Sequence, residues 1–449
     1  MSGNTVKKSE LHELKKQSRE NSVKDGFFAT IKDSVANNYI TPFAIAINSS
    51  DSLIAMLSSI PGLLGPVSEF YSSRLIERYS RKKIVLVSVF LEILTWIPLI
   101  LVALLFYYGL IISLLPLMLL LFFSLYVILA NAGAPAWFSW IGDIIDEEHR
   151  GRWFAKRNFV FGAVSLICAI SFAVLLDYLK KNNWIIFGFI ILFSIAFISR
   201  IISRYYLSKQ YEPKIEIEKG YYFSFSSFIK KSPFNNFGRF AIFRALLNCA
   251  TMVASPFFVV YMLKELKFSY LTLMIVIMSQ VFFTMMIIRF WGRFSDKYGN
   301  YRVLRLTSIL ISLIPILWIF SNLPIYLILV PQLLSGIAWG GFNLAASNYV
   351  FDCVSLQRRS LALSYHDLLN GFGVFIGAGI WAILVGYISI SFMNHLLFIF
   401  LISGILRFMV VIIMIPRIKE VKEKKVFDLK IWFKHHLHLY YHHSHENKV

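Results

Sequence analysis

From Phe27 to Pro416 the chain alternates between long apolar runs and short polar breaks. Each run approaches the roughly 20 residues that a helix needs to cross a hydrocarbon layer of about 30 Å. Twelve such runs begin near residues 27, 52, 84, 111, 158, 184, 238, 269, 303, 324, 361 and 392. The pattern predicts an all-α membrane protein with twelve transmembrane helices. Composition agrees, because 57% of the 449 residues are hydrophobic, only 16% are charged and the mean hydropathy is +0.64. An ordinary soluble domain of this length is excluded. The first 25 residues are polar and Lys-rich, with neither the apolar core nor the cleavage site of a removable signal, and are expected to form a cytosolic tail.

The formal charge of +20 matters here for where it lies. Thirty-eight Lys and Arg residues fall in the two terminal segments and in alternate loops with their span edges. The opposite loops hold only Lys180, Lys181, Lys264 and Lys267, while Lys32, Arg244 and Arg407 stand inside spans. The positive-inside rule therefore predicts a multi-pass protein of the plasma membrane with both termini in the cytosol, its charge facing lipid and not nucleic acid. Cys168, Cys249 and Cys353 have no paired spacing, so neither a disulfide framework nor a thiolate metal site is expected.

The two halves of the chain repeat. Pro42 in "ITPF" matches Pro256 in "ASPF" 214 residues later, and Glu77 matches Asp296 at an offset of 219. Asp143 matches Asp352 at 209, and each is followed seven residues on by an arginine, Arg150 and Arg359. Near-constant offsets predict a duplicated unit, hence two six-helix bundles related by pseudo-twofold symmetry and inserted in the same orientation. The expected divisions are a tail at 1–25, a first bundle at 26–206, a cytosolic linker at 207–237, a second bundle at 238–416 and a basic, His-rich tail at 417–449. The linker's "YYFSFSSFIKKSPF" is expected to lie in the headgroup region and tether the bundles.

Three charged segments carry a family pattern. "GRFSDKYGNYR" resembles the signature loop of the major facilitator superfamily, with Gly292, Ser295, Asp296, Lys297, Gly299 and Arg302 in place and Phe294 where Leu is usual. In the first half Leu75, Arg78, Arg81, Lys82 and Lys83 fit, while Ser73, Glu77 and Ser80 replace Gly, Asp and Gly. "GDIIDEEHRGRWFAKRN" is similar to the same superfamily's acid and Arg-Gly segment, here Asp143, Arg150 and Gly151. The resemblance implies a secondary active transporter that moves a small solute by alternating access. It also implies gating roles for Glu77, Arg78, Asp143, Arg150, Gly292, Asp296, Lys297, Gly299, Asp352 and Arg359. The residues themselves suit such a role: glycines tolerate the backbone angles of a tight turn, and an acid among positives can pair with an Arg or a helix N-terminus.

The resemblance further implies that the first and fourth spans of each half line a central cavity. Polar stripes occur on those spans: Asp33, Asn37 and Thr41; Asn131; Arg244, Asn248 and Thr251; Gln332, Trp339 and Asn343. Inside hydrocarbon a polar stripe must face protein or water, so these residues are the expected cavity lining, although interhelical hydrogen bonds predict the same facing. Asp33 and Glu92 are the candidates for proton coupling, because an acid within a span can carry a proton through a cycle. Lys32 stands beside Asp33 as a local partner, and Glu92 in span 3 equally suits a structural hydrogen bond.

Span 11 carries Gly371, Gly373, Gly377, Gly379 and Gly386, which permit close helix approach. No GxxxxGK[ST] loop, His-Glu-x-x-His pair or Gly-x-Ser-x-Gly elbow occurs, so no enzyme activity and no cofactor are expected. The expected function is proton-coupled transport of a small solute. The alternatives are a non-transporting receptor or scaffold with the same fold, or a drug efflux pump, against which span 5 lacks a Gly-Pro-rich motif. His435, His436, His438, His442, His443 and His445 crowd the C-terminal tail and are weak candidates for metal binding on composition alone.

Overall fold

The computed structural model describes residues 8–145, 147–213, 224–354, 359–386 and 393–421. Among the described residues every regular element is helical. The first half comprises α1 (Lys8–Ala46), α2 (Asp51–Ser73), α3 (Arg81–Tyr107), α4 (Leu115–Ala132), α5 (Ala134–Ile144), α6 (Glu147–Lys181) and α7 (Ile185–Ser208). A short α8 (Phe225–Lys231) follows in the linker. The second half comprises α9 (Asn236–Met252), α10 (Phe257–Val260), α11 (Tyr270–Tyr298), α12 (Asn300–Leu317), α13 (Pro324–Leu327), α14 (Leu333–Cys353), α15 (Arg359–Leu384) and α16 (His395–Met414).

Helix is the form a spanning chain can take here because each backbone N–H and C=O is then bonded within its own segment. Ser50, Ser80, Asn235, Ser269 and Asn394 cap helix starts with side-chain oxygens that accept backbone N–H groups. Three of the four spans expected to line a cavity are broken within the membrane. Gly133 and Pro135 separate α4 from α5, Pro256 separates α9 from α10, and Pro331 sits in a π-helical turn ahead of α14. Proline removes a ladder hydrogen bond and kinks the helix, which suits walls that line an aqueous space.

Eleven segments are long and apolar enough to cross a membrane. The twelfth span is the C-terminal part of α1, which falls below that apolarity because it carries Lys32 and Asp33. It is nevertheless packed deep in the first bundle: Val35, Ala36, Tyr39, Ile40, Phe43 and Ala44 are all 3% exposed or less, chiefly against α7 and α6. At 39 residues α1 is about 58 Å long, nearly twice a bilayer core. It therefore runs straight through residue 25, where a separate tail was expected to end. Ser18 accepts a hydrogen bond from the Tyr211 backbone N–H at 2.7 Å, docking the helix start beneath the bundle.

The halves correspond in their packing. α3 lies on α4 and α7 as α12 lies on α14 and α16, and α1 packs on α7 as α9 packs on α16. Between halves, α2 meets α15 and α6 meets α11. The span 11 glycines serve close approach on two sides: a Cβ at Gly373 or Gly377 would overlap the carbonyls of Ala245 and Cys249 on α9, while Gly371 and Gly379 face Pro66, Gly62 and Ser59 of α2 across the halves. The linker helix does not rest among headgroups alone. Phe225 and Phe228 pack on Tyr365 of α15, which stacks against Phe70 of α2, so α8 closes over the seam between the two halves.

Candidate functional site

A cavity of about 500 Å³ opens within the first bundle, walled by α1, α3, α4, α5, α6 and α7. Its charged edge is a chain of ion pairs drawn from three helices. Lys32 Nζ stands 2.6 Å from Asp33 Oδ1, 3.1 Å from the Tyr126 hydroxyl and 2.9 Å from Glu92 Oε1. The Glu92 approach lies off the hydrogen-bonding direction and is ion pairing alone. The other Glu92 oxygen, Oε2, receives Arg200 Nη2 at 2.6 Å and Nε at 2.9 Å. Arg200 also donates to Ser203, whose hydroxyl donates to Asp25 at 2.6 Å.

Burial explains why these groups are linked. The Glu92 side chain is 0% exposed and Lys32 4%, so an unpaired charge at either would be strongly unfavourable. Asp33, at 50% exposure, is the member of the chain that meets the open space.

The second bundle repeats this geometry without the acid. Arg407 follows Arg200 by 207 residues, and Ile311 follows Glu92 by 219. Arg407 Nη1 donates to the Ile311 carbonyl at 3.0 Å and Nε to Ser403 at 3.1 Å, so carbonyl and hydroxyl dipoles replace the carboxylate. One half thus carries a charge network where the other carries a lone cation held by helix carbonyls.

The charged loops are likewise duplicated. Arg81, the first residue of α3, binds Asp143 at 2.7 Å, and Asn300, the first residue of α12, donates to Asp352 at 2.8 Å. Glu212, after α7, accepts the Lys82 backbone N–H at 3.2 Å, and Glu420, after α16, accepts that of Tyr301 at 3.0 Å. Each carboxylate sits at the positive end of the third helix of its bundle. Gly299 adopts φ +96°, and a Cβ there would also overlap the Glu420 carboxylate, so two constraints require glycine at this turn.

At the other end of the molecule the halves are tied by polar contacts. Lys264 Nζ meets Asp51 at 2.6 Å, Ser52 donates to the Ala382 carbonyl, and Asp177 accepts the Tyr270 and Leu271 backbone N–H groups at 2.8 and 2.9 Å. Asp177 thereby caps α11 of the opposite half. The first-bundle cavity runs the other way, from Asn37 toward Asp25 and Leu207.

Of the residues singled out in the sequence, Asp33, Asn37 and Asn131 line this cavity together. Thr41 lies higher on α1, and Thr251 bonds back to the Leu247 carbonyl. Asn248 pairs with Asn370, and Arg244 is largely buried with its Nε unpartnered. Gln332 is buried in its π-helical turn, Asn343 is exposed, and Trp339 lies edge-on to Phe342. Glu77, Arg78, Lys297 and Asp296 stand at the α2–α3 and α11–α12 connections, with Gly292 one turn earlier on α11.

The side chains of Arg150 and Arg359 lie outside the described residues, as do His435, His436, His438, His442, His443 and His445. Among the described residues no group of three metal-ligating side chains comes together. Sequence reasoning missed Asp25, Tyr126, Arg157, Arg200, Glu212 and Glu420. Arg157 and Arg200 were legible only as topogenic charge at span edges; the signal that sets Arg200 apart is its place in "IAFISRIISRYY", four residues ahead of the next arginine and flanked by apolar residues.

The sequence profile of the Major Facilitator Superfamily matches residues 26–248 and 240–439, which is nearly the whole chain. No curated protein sequence matches. Among solved structures, a point mutant of the nucleoside transporter NupG is similar with a TM-score of 0.68 at 14% identity, over 90% of this chain and 100% of that one. A further structure of the nucleoside transporter NupG gives 0.62 at 15% identity over 90% and 98%. A bacterial homologue of the iron transporter ferroportin, solved in an inward-facing state, gives 0.63 at 12% identity over 90% and 98%. At these identities the likeness is one of fold. With the profile match spanning both halves and the duplicated helix packing already described, the chain belongs to the Major Facilitator Superfamily and is a multi-pass membrane transporter.

Proposed function

We propose that the protein is a secondary active transporter of the plasma membrane that carries a small solute by alternating access, with a proton gradient as its driving force. Its parts are the segments expected from the sequence: bundles at 26–206 and 238–416, a linker at 207–237, and terminal segments at 1–25 and 417–449, both in the cytosol. In that orientation the Asp51–Lys264 pair and the Asp177 cap close the outer end, and the first-bundle cavity faces inward. Alternating access then requires the outer contacts to break while the α2–α3 and α11–α12 loops, with Glu77 and Asp296, latch the cytosolic side.

The observation that carries the reading is Lys32 held between two carboxylates, the half-exposed Asp33 and the buried Glu92, on the wall of the cavity. A proton arriving at Asp33 releases Lys32 toward Glu92, and its departure restores the original pair, so protonation state and helix contacts change together. The experiment is solute uptake in proteoliposomes across a panel of solutes, with and without an imposed pH gradient. Uptake should accelerate with the gradient, and Asp33→Asn should remove the acceleration while solute counterflow persists. Gradient-driven uptake undiminished in Asp33→Asn would overturn the coupling role; binding without flux for every solute would favour a non-transporting receptor.

A further inference from the structure

Arg157, on α6, is the cation of the first-bundle cavity that the ion-pair chain does not include. Lys32 is matched by Asp33 and Glu92, and Arg200 by Glu92, whereas Arg157 makes no hydrogen bond and no ion pair among the described residues. Its Nε is buried without a partner, and its guanidinium lies on the cavity wall. A buried Nε without a partner is unfavourable, while the rest of this partly exposed guanidinium borders the open space of the cavity.

The surroundings are shaped to hold this side chain in place. Its guanidinium carbon is 4.5 Å from the ring centre of Phe161, 4.8 Å from that of Trp137 and 5.6 Å from that of Trp153. Aromatic faces steady a cation without neutralising it, and they leave the edge of the guanidinium fork unoccupied. Gly26 on α1 makes the arrangement possible. A Cβ there would overlap the Phe161 ring and stand 2.7 Å from Arg157 Nη2, so only glycine lets the fork reach the α1 side of the cavity.

We infer that Arg157 is the anchor of a binding site for a small organic anion, whose carboxylate or phosphate head takes the guanidinium edge. The planar fork matches an oxyanion with two parallel N–H···O bonds. Asn37 lies three turns along α1 from Gly26, on the same wall, and its amide selects a body bearing hydrogen-bonding groups. Phe123, Tyr126 and Val127 supply the apolar remainder. The cavity's 500 Å³ suits a molecule of metabolite size. Asp33 and Glu92 are ion-paired to Lys32 and Arg200, and Asp25 acts on Arg157 through space while accepting its hydrogen bond from Ser203, so Arg157 carries the one fork of this cavity with no hydrogen-bonded partner among the described residues. The inference rests on the proposal that this cavity belongs to the solute path, and names the class of solute.

The test is equilibrium binding to the full purified chain in lipid nanodiscs, using matched pairs: lactate and lactamide, succinate and succinamide, benzoate and benzamide, glycerol 3-phosphate and glycerol. At least one anion should bind about tenfold or more tightly than its neutral counterpart, and Arg157→Lys, which keeps the charge but loses the fork, should remove about tenfold of that affinity. Gly26→Ala should weaken the same anion with the charge unchanged, by pushing the fork aside. The phosphate and carboxylate arms identify the head group. The inference is overturned if no anion outbinds its neutral partner, or if a folded Arg157→Lys or Gly26→Ala protein binds the anion as the parent does. Selective anion binding with no flux would leave the site intact and overturn the transport reading. Flux of a neutral solute, indifferent to Arg157→Lys, would do the reverse.

Discussion

Replacing Glu92 by Gln changes one atom in a side chain that is fully buried, and its effect can be worked from the contacts around it. Glu92 serves two cations at once, Arg200 through Oε2 at 2.6 Å and Lys32 through Oε1 at 2.9 Å. The side chains of these cations are 11% and 4% exposed, so neither can turn to water when the carboxylate charge is lost. Lys32 retains Asp33 and Arg200 retains Ser203, which limits the damage. Removing one partner from a buried ion pair destabilises by about 3–5 kcal/mol. For a unit the size of one bundle, at about 2–4 °C per kcal/mol, that corresponds to a fall in Tm on the order of 10 °C.

The second bundle supplies the control. Arg407 occupies the place of Arg200 but is held by carbonyls and Ser403, with Ile311 where the acid would be. Arg407→Met removes a buried cation together with its need for partners and should change stability by less than about 2 kcal/mol, in either direction. The assay is thermal unfolding of the purified protein in one detergent, followed by intrinsic fluorescence for both variants and the parent. A Glu92→Gln protein that melts with the parent, or no lower than Arg407→Met, would refute the claim that the carboxylate compensates two trapped charges.

Two further outcomes follow from the packing. Asp51→Asn combined with Asp177→Asn removes the charged ties between halves at the end away from the cavity mouth. Spin-label distances across that end should shift toward a longer, more open population, and an unchanged distribution would show that the ties do not hold the closed state. Gly377→Ala drives a methyl group into the Cys249 carbonyl on α9, where neither backbone can retreat. It should destabilise by about 1–3 kcal/mol as overpacking does, whereas Gly386→Ala, which meets open space, should melt with the parent when both are compared by the same thermal scan.

The sequence alone determined the class of the molecule. Lipid leaves a spanning segment no source of hydrogen bonds but itself, so the helical spans are written locally as apolar runs, and the duplication is written as constant offsets between matched residues. Asp33, Asn37 and Asn131 were legible for the same reason, because a polar residue in an apolar run has to face protein or water. What only the tertiary structure decided is which charges meet. Glu92 and Arg200 lie 108 positions apart, and Arg200 and Arg157 are indistinguishable in the sequence from the positive residues that set topology. Glu212 and Glu420 look like ordinary polar residues after the last span of each half until the fold brings each to the start of a helix well over a hundred residues upstream. Charge interactions have no sequence period; they are fixed by distance and burial, and both come into being when six helices close around one space.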